Sequence, residues 1–171
     1  MASNAIANAL IVECKRRLRD ESLPRLKKCL SQLDDEEVWF RPNSETVSVG
    51  NLILHLCGNV RQWIIATLGE KPDVRERENE FLEAGPISKT ELVQRLESTL
   101  QECLKVLNGL DPSTLLLERT VQGFQETGVS ILVHVMEHFS YHVGQISYFT
   151  KSRKAVDLQF YRGADLNKTG S

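Results

Sequence analysis

Apolar residues recur with helical spacing in four separate stretches of the chain. The members of the first stretch are Ile6, Leu10, Cys14, Leu18, Leu26, Leu30 and Leu33. This spacing is typical of one long amphipathic helix. Pro24 lies inside it, and a proline removes one helical hydrogen bond and clashes with the carbonyl four residues earlier. We therefore expect a bend or a short break before Pro24.

Two further helices are marked by residues that favour helix ends. The second should begin near Ser48, whose hydroxyl can cap free backbone N–H groups, and should continue to about Leu68, where Gly69 ends it. The third begins at residues 88–91, a capping-box pattern of serine followed three positions later by glutamate, and ends at the Asn-Gly pair of residues 108–109. It carries no histidine, so we interpret it as scaffold.

The fourth helical stretch contains three of the four histidines of the chain. It should begin near Thr127 or Ser130 and run to about Thr150. Residues 156–163, which follow it, are apolar at alternate positions, and this pattern predicts a tail that lies along the other helices.

The segments between the helices carry weaker signals. Residues 39–44 break the periodicity, and we interpret them as a loop. The charged connector, residues 71–81, is too polar to be core, and the pattern leaves the conformation of residues 71–86 open. The Asp-Pro pair at 111–112 predicts a turn, whereas the brief alternation in residues 117–123 is typical of either an extended stretch or a weak hairpin.

These elements predict an all-α protein, a four-helix bundle with irregular connectors and at most a short extended segment. Four helices of about 20 residues joined by loops are typical of that class, in which sites are built from side chains on facing helices. The chain has 171 residues, with no internal repeat and no domain linker. We therefore predict a single domain over residues 1–171.

Composition and charge narrow the function classes. Apolar residues make up 41% and charged residues 26% of the chain, as is usual for soluble globular proteins. The net charge of −2 gives no electrostatic reason to expect nucleic acid or an anionic membrane as a partner. The N-terminus lacks the basic and apolar regions of a signal peptide, and no stretch approaches the roughly 18 apolar residues of a membrane span. We expect a cytoplasmic protein.

The four cysteines are isolated from one another, and no Cys-x-x-Cys pair indicates a zinc or redox site. They are Cys14, Cys29, Cys57 and Cys103. We expect reduced thiols that act as small core residues. Cys57 follows His55 by two residues, which on a helix turns its side chain about 200° away and makes it a poor co-ligand.

The histidines have the spacing of a metal site. His138 and His142 lie four residues apart, which on a helix places their Cβ atoms roughly 5 to 6 Å from each other, and His55 lies on the apolar face of the second helix. Burying an unpaired imidazole costs on the order of 1 to 3 kcal/mol. We predict that the three imidazoles bind one metal; the alternative is three core histidines, each hydrogen-bonded to a carbonyl or hydroxyl.

Three imidazole ligands with an open fourth position are typical of catalytic zinc sites, and imidazole also suits nickel, copper and iron. The ligand count therefore leaves the metal open. Three neighbours are weak candidates for catalytic help. His134 could be a fourth ligand, a surface residue or a proton shuttle, and we favour the second or third role. Glu137, about 100° off the ligand face, is either solvated or an outer partner of the site. Gln145 could anchor a ligand imidazole or a substrate, or pack at the helix.

The order of one histidine in the second helix followed by His-x-x-x-His-x-Gly-Gln-Ile at residues 138–146 resembles the DinB-like superfamily, which includes the YfiT-type proteins. The resemblance covers roughly residues 5–150. Residues 39–42, 59–63 and 75–81 are similar to an uncharacterised branch of it. The resemblance implies a bundle of up-down-down-up topology and frequent homodimers.

The resemblance also implies a divalent metal bound by His55, His138 and His142, nickel or zinc above all, with iron or manganese as alternatives. Some relatives are transferases or isomerases that use a small thiol, mycothiol or bacillithiol, and others are regarded as hydrolases. The first hypothesis is therefore an enzyme whose metal activates water or a small thiol toward a small-molecule substrate of unknown identity. The second is a non-enzymatic binding or interaction protein in which the ion is structural. A third is a bundle without metal.

Overall fold

The computed structural model of the chain describes residues 2–170. The first long helix consists of α1, Ala2–Arg16, a π-helical segment, Arg17–Ser22, and α2, Leu23–Gln32; the second consists of α4, Val49–Val60, and a second π-helical segment, Arg61–Leu68. The third is α6, Lys89–Gly109, and the fourth is α7, Gly128–Lys154. The connections contain the short helices α3, Asp35–Trp39, and α5, Arg77–Leu82, a 3-10 helix, Pro112–Leu116, and strands β1, Glu118–Val121, and β2, Phe124–Thr127. Four long helical segments thus form an all-α bundle.

The first long helix is continuous where we expected a bend or break. The π-helical segment ends directly before Leu23, whose N–H donates to the carbonyl of Leu18 five residues earlier. The wider turn comes just before Pro24, which has no N–H to donate. The effect of the proline is therefore a local change of helical pitch.

The predicted helix ends are confirmed by their caps. The Ser48 side chain accepts from the N–H of Asn51, and the Asn51 side chain accepts from the N–H of Ser48, which completes a capping box. Ser88 caps α6 by accepting from the N–H of Glu91. Thr127 caps α7 by accepting from the N–H of Ser130.

Pairs of contacting residues give the direction of each helix. In the first long helix, Lys27 bonds Glu97 at 2.7 Å and the earlier Lys15 bonds Asn108 at 3.0 Å, so this helix runs antiparallel to α6. Along the second long helix, Arg61 bonds Glu102 at 3.1 Å, and a Cβ placed at the later Gly69 would come within 2.8 Å of Val106. The second long helix and α6 are therefore parallel.

Helix α7 runs in the direction of the first long helix. Cys29 lies 3.6 Å from Ser147, and the later Glu37 bonds Lys154 at 2.6 Å. The four long helices therefore follow one another up, down, down and up, as the resemblance implied. Only the connection between the second and third long helices, residues 69–88, joins parallel helices and must therefore return along the length of the bundle.

Two expectations about the connectors are wrong in part. Residues 39–44 were expected to form a loop, but Trp39 is the last residue of the short helix α3. That helix begins at a capping box formed by Asp34 and Glu37, so only the residues after Trp39 are irregular. In the charged connector, Arg75 and Glu80 are buried, with side chains 4% and 9% exposed. Burial is tolerated because their opposite charges pair in the folded chain.

Helix α7 ends at Lys154, four residues beyond the predicted end near Thr150. Of the two alternatives left open for residues 117–123, the structure has the hairpin: residues 118–123 form strand β1 and the turn that leads into β2, and Leu117 ends the preceding 3-10 helix. In the tail, Leu158 is buried and Arg25 of α2 lies over the rings of Phe160 and Tyr161. All four cysteines are free and buried. Among the helices of the described residues, none combines the length and apolar character needed to cross a membrane.

Candidate metal centre

Three imidazoles from two helices meet inside the bundle. His55 projects from α4, and His138 and His142 project from successive turns of α7; one ligand nitrogen from each lies within 4.8 Å of the others. His55 and His142 are only 5% and 8% exposed, whereas His138 is half-buried. The sequence prediction that these residues converge is confirmed by the geometry. Such a group could hold a divalent metal ion.

The His142 imidazole turns an unprotonated nitrogen toward this cluster. Its Nδ1 lies 2.7 Å from Oε1 of Gln145, and because an amide oxygen only accepts, Nδ1 is the donor. In the neutral ring Nε2 then carries a lone pair. That Nε2 is buried and has no hydrogen-bond partner among residues 2–170. An unpaired buried acceptor costs about 1 to 3 kcal/mol, which a metal ligand bond would offset.

His55 is oriented in the same way by a carboxylate. Its Nδ1 donates to Oε2 of Glu80 at 2.8 Å, which leaves Nε2 as the acceptor. This Nε2 lies 2.8 Å from Nε2 of His138. Two imidazole nitrogens this close need a shared proton or cation between or beside them, because two facing lone pairs repel. The pair is therefore suited to binding the same ion.

The surroundings favour neutral imidazoles, the form that binds metal. Burial, with the neighbouring histidines and Arg75, lowers the pKa of His138 to about 3. Burial also lowers the pKa of His142, and the hydrogen bond to Gln145 offsets part of that effect. Both rings are therefore neutral, but Nε2 of His138 must release or relocate the proton that it shares with Nε2 of His55 before it can bind an ion.

The charged connector supplies an outer shell that the sequence did not predict. Arg75 donates to both carboxylate oxygens of Glu80, at 2.7 and 2.8 Å, and also to Oε1 of Gln62 at 2.9 Å. Burial raises the pKa of Glu80, but the hydrogen bonds from Arg75 and His55 more than offset this and hold the pKa below its usual value. A carboxylate on the far nitrogen of a ligand imidazole is the usual arrangement in metal sites.

The backbone around Glu80 is fastened to the bundle by two polar side chains. Asn51 of α4 donates to the carbonyls of Glu80 at 2.9 Å and Glu83 at 2.7 Å, and Arg41 donates to the carbonyl of Phe81 at 2.8 Å. The Phe81 ring lies 4.9 Å from the His55 ring, centre to centre. Helix α5 therefore covers one side of the cluster. The sequence signal for this role was an arginine and a glutamate five residues apart in a polar segment, which by itself indicates a solvated helix.

His134 lies beside the three ligand nitrogens and outside their group. Its ring stacks on Trp63, with centres 3.7 Å apart, and its Nε2 accepts from Asn59 at 3.2 Å. Its ring centre is 5.3 Å from that of His138. Burial lowers its pKa. This position suits a residue that packs against the site, and it does not suit a fourth metal ligand.

The other two weak candidates lie in different surroundings. Glu137 is exposed and has no ion pair within residues 2–170. Gln145 is also exposed, but it holds His142 through Oε1 and donates through Nε2 to the hydroxyl of Tyr141 at 3.2 Å. The structure thus places Gln145 as a partner of a candidate ligand and gives no such contact to Glu137.

The fold and the cluster define a class: an all-α bundle with a buried three-histidine group that could hold a divalent metal. Residues 6–162 match a family model described as "Protein of unknown function (DUF1572)". The match covers most of the chain, so the protein belongs to the DUF1572 family. The comparison with curated proteins gives no match.

Proposed function

We propose that the protein is a metal-binding member of the DinB-like superfamily and that His55, His138 and His142 are its ligands. The observation that carries this proposal is the buried Nε2 of His142, which has no partner in the part of the chain that is described and belongs to a group of three nitrogens within 4.8 Å. Imidazole ligands suit zinc, nickel, copper and iron, and the resemblance to the DinB-like superfamily favours nickel or zinc, with iron or manganese as alternatives.

The chain's own residues prepare the ligands for this role. Glu80 holds the Nδ1 proton of His55, and Gln145 holds that of His142, so each ring turns its Nε2 inward. Both partners restrict the rotation of a ligand ring before any ion arrives. When bound, the divalent metal would supply a Lewis acid that lowers the pKa of a bound water to about 7 or stabilises a thiolate.

We further propose that the protein is an enzyme, either a hydrolase or a thiol-dependent transferase. Three protein ligands leave room for a further ligand, as in catalytic zinc sites. The half-buried His138 and the 61% exposed Tyr141, whose ring centre lies 5.0 Å from that of His142, support access from solvent on this side. A small molecule could therefore reach the cluster.

The alternative is a structural ion in a non-enzymatic binding or interaction protein. It is favoured by the origin of the ligands, since His55 comes from α4 and the other two come from α7. An ion bound by both helices would crosslink them and stabilise the bundle. Turnover by the metal-loaded protein would separate the two functions.

Elemental analysis of the purified protein tests metal binding. We expect close to one divalent ion per chain in the wild type and loss of that ion in the double variant His138→Ala, His142→Ala. His134→Ala serves as a control that removes a neighbouring imidazole and should keep the ion. Circular dichroism verifies that each variant is helical. Equal, sub-stoichiometric metal in wild type and double variant would refute the proposal.

Assays of a chromogenic electrophile with and without small thiols distinguish a thiol-dependent transferase from a hydrolase. Turnover that depends on added thiol would identify a transferase, and turnover in water alone would identify a hydrolase. No metal-dependent turnover in either assay, together with a lower melting temperature after chelation, would support the structural ion.

The homodimer implied by the resemblance stays a prediction, as do the single domain and the cytoplasmic location. Sedimentation velocity of the metal-loaded protein tests the dimer directly. A chain of 19.4 kDa should sediment at twice that mass if the prediction holds.

A further inference from the structure

One side of α7 faces solvent along much of its length. Its exposed residues Glu137, Tyr141, Gly144, Tyr148 and Lys151 follow one another at intervals of four, three, four and three positions. This spacing places them in a single stripe along the helix. The two tyrosines are 61% and 78% exposed. Tyrosine is enriched at protein–protein interfaces, so the stripe has the composition of a surface that binds another protein.

The two charges of the stripe have no partner of their own within the part of the chain that is described. Glu137 and Lys151 are exposed and form no ion pair there. The neighbouring cations of α7 differ from Lys151 in this respect, because Arg153 and Lys154 both bind Glu37. One end of the stripe thus carries a free negative charge and the other end a free positive charge.

The order of these residues is nearly symmetric about Gly144. Glu137 lies seven positions before the glycine and Lys151 seven positions after it, while Tyr141 lies three before and Tyr148 four after. In an antiparallel pair of α7 helices that cross at Gly144, each Glu137 faces Lys151 of the partner subunit, and each Tyr141 faces Tyr148 of the partner subunit. A two-fold symmetric interface has this property, since every contact between two different residues occurs twice.

Charge complementarity favours this partner and this direction. A parallel pair would place Glu137 against its own equivalent and Lys151 against its own equivalent, and like charges across an interface repel. Gly144 also suits the crossing point. It has no side chain, and a Cβ built there meets nothing within 4 Å in the chain. The distance between two packed helices depends on the side chains at their contact, so the helices can approach closely at this glycine.

We propose that this stripe is the surface of a homodimer in which the α7 helices of two copies pack antiparallel across a two-fold axis near Gly144. The inference rests on the homodimer predicted above and names its surface, and it does not depend on a bound metal. Tyr141 also borders the candidate metal centre, because its hydroxyl accepts from Gln145, the partner of His142. Tyr148 of the partner subunit would therefore bound one side of the approach to the cluster.

Reversing the charges at the two ends tests both the surface and its direction. Sedimentation velocity over a series of concentrations gives the dissociation constant of the dimer of the full chain. Glu137→Lys and Lys151→Glu each replace two attractive pairs by two repulsive ones, so each should weaken the dimer about tenfold. The double reversal restores opposite charges and should return the dissociation constant to within about threefold of wild type. Lys105→Glu, at an exposed position of α6, is the control and should change it less than about twofold.

Cysteine crosslinking locates the axis independently of charge. All four natural thiols are buried, so an added exposed thiol dominates the reaction. In Gly144→Cys the added thiols of two copies meet at the axis, and mild oxidation should yield a disulfide-linked dimer on a non-reducing gel. Val133→Cys is the control, because this exposed position lies eleven residues earlier on the same helix and far from its equivalent in an antiparallel pair. Circular dichroism verifies that each variant is helical.

The outcomes separate the dimer from its surface. A wild type that stays monomeric at every concentration would overturn the homodimer and this surface together. Dimers of wild-type affinity in both single reversals would keep the homodimer and overturn the surface, and a double reversal as weak as the single ones would overturn the pairing of Glu137 with Lys151. Equal crosslinking of Gly144→Cys and Val133→Cys would overturn the antiparallel arrangement.

Discussion

Oε2 of Glu80 and Nδ1 of His55 lie 2.8 Å apart, although the two residues are separated by 25 positions in the chain. The carboxylate fixes the proton on Nδ1 and leaves Nε2 free to face the other two imidazoles. Arg75 binds the same carboxylate through two nitrogens and keeps it in place. The orientation of a candidate ligand thus depends on a helix that contributes no ligand itself.

Removing the negative charge of Glu80 should weaken metal binding while leaving the three ligands intact. For Glu80→Gln we expect a loss of about 10- to 100-fold in affinity, the usual effect of losing an outer partner of a ligand imidazole. Competition with a chromophoric chelator measures it. Glu78→Gln is the control, since Glu78 is exposed on the same short helix. Equal affinity of the Glu80 variant and the wild type would contradict this role.

Adding a methyl group at Gly58 should disturb the contact between Glu80 and His55 by pushing the Glu80 carboxylate away. A Cβ there would lie 1.8 Å from Oε1 of Glu80 and 2.9 Å from Nε of Arg75, so Gly58→Ala must displace the carboxylate. We expect weaker metal binding and a lower melting temperature. At Gly144, also in a helix, a Cβ meets nothing within 4 Å.

Gly144→Ala is therefore the matched control for Gly58→Ala. It should leave metal affinity unchanged and stabilise the protein by about 0.4 to 1 kcal/mol, because alanine restricts the unfolded chain. If both alanine variants behaved alike, the close approach of Glu80 to Gly58 would not matter for the site.

The four buried thiols should resist modification in the native protein. Burial raises the pKa of Cys57 to about 11 and that of Cys14 to about 12, and it also raises the pKa of Cys29 and Cys103. The reactive thiolate is therefore scarce at neutral pH. We expect Ellman's reagent to detect no rapidly reacting thiol in the folded chain and four after denaturation. A fast-reacting thiol in the native state would show that one of them is accessible.

Glu37 should make stability depend on pH in the acidic range. Lys154, bonded at 2.6 Å, together with the N–H of Asp34 and Arg153, holds the pKa of Glu37 below its usual value. A carboxylate with a depressed folded pKa stabilises the protein above the unfolded pKa, and the effect is lost as pH falls through the folded value. We expect Glu37→Gln to lower the melting temperature at pH 7, with a difference from wild type that shrinks as pH falls below 4.5.

Thermal melts in the presence of a chelator measure this effect without interference from bound metal. Glu36→Gln is the control, because Glu36 is an exposed residue of the same helix with no ion pair within the described residues. A difference between Glu37→Gln and wild type that stayed constant from pH 7 to below pH 4 would contradict the prediction.

Much of the fold followed from the sequence because helices depend on residues three and four positions apart. The apolar spacing, the caps Ser48, Ser88 and Thr127, and the terminating Gly69 are all local signals. The same local spacing placed His138 and His142 on one face of α7. The histidines could therefore be proposed as a group before any tertiary contact was known.

The tertiary structure alone decided which charged residues are buried and what they hold. Arg75 and Glu80 have the composition of a solvated segment, and their burial is favourable only because they neutralise each other beside His55. The stacking of His134 on Trp63 likewise arises from residues far apart in the chain. The spacing of apolar residues along the sequence determines the helices and their apolar faces. Pairing between charges far apart in the sequence depends on the bundle that brings them together, so only the tertiary structure shows it.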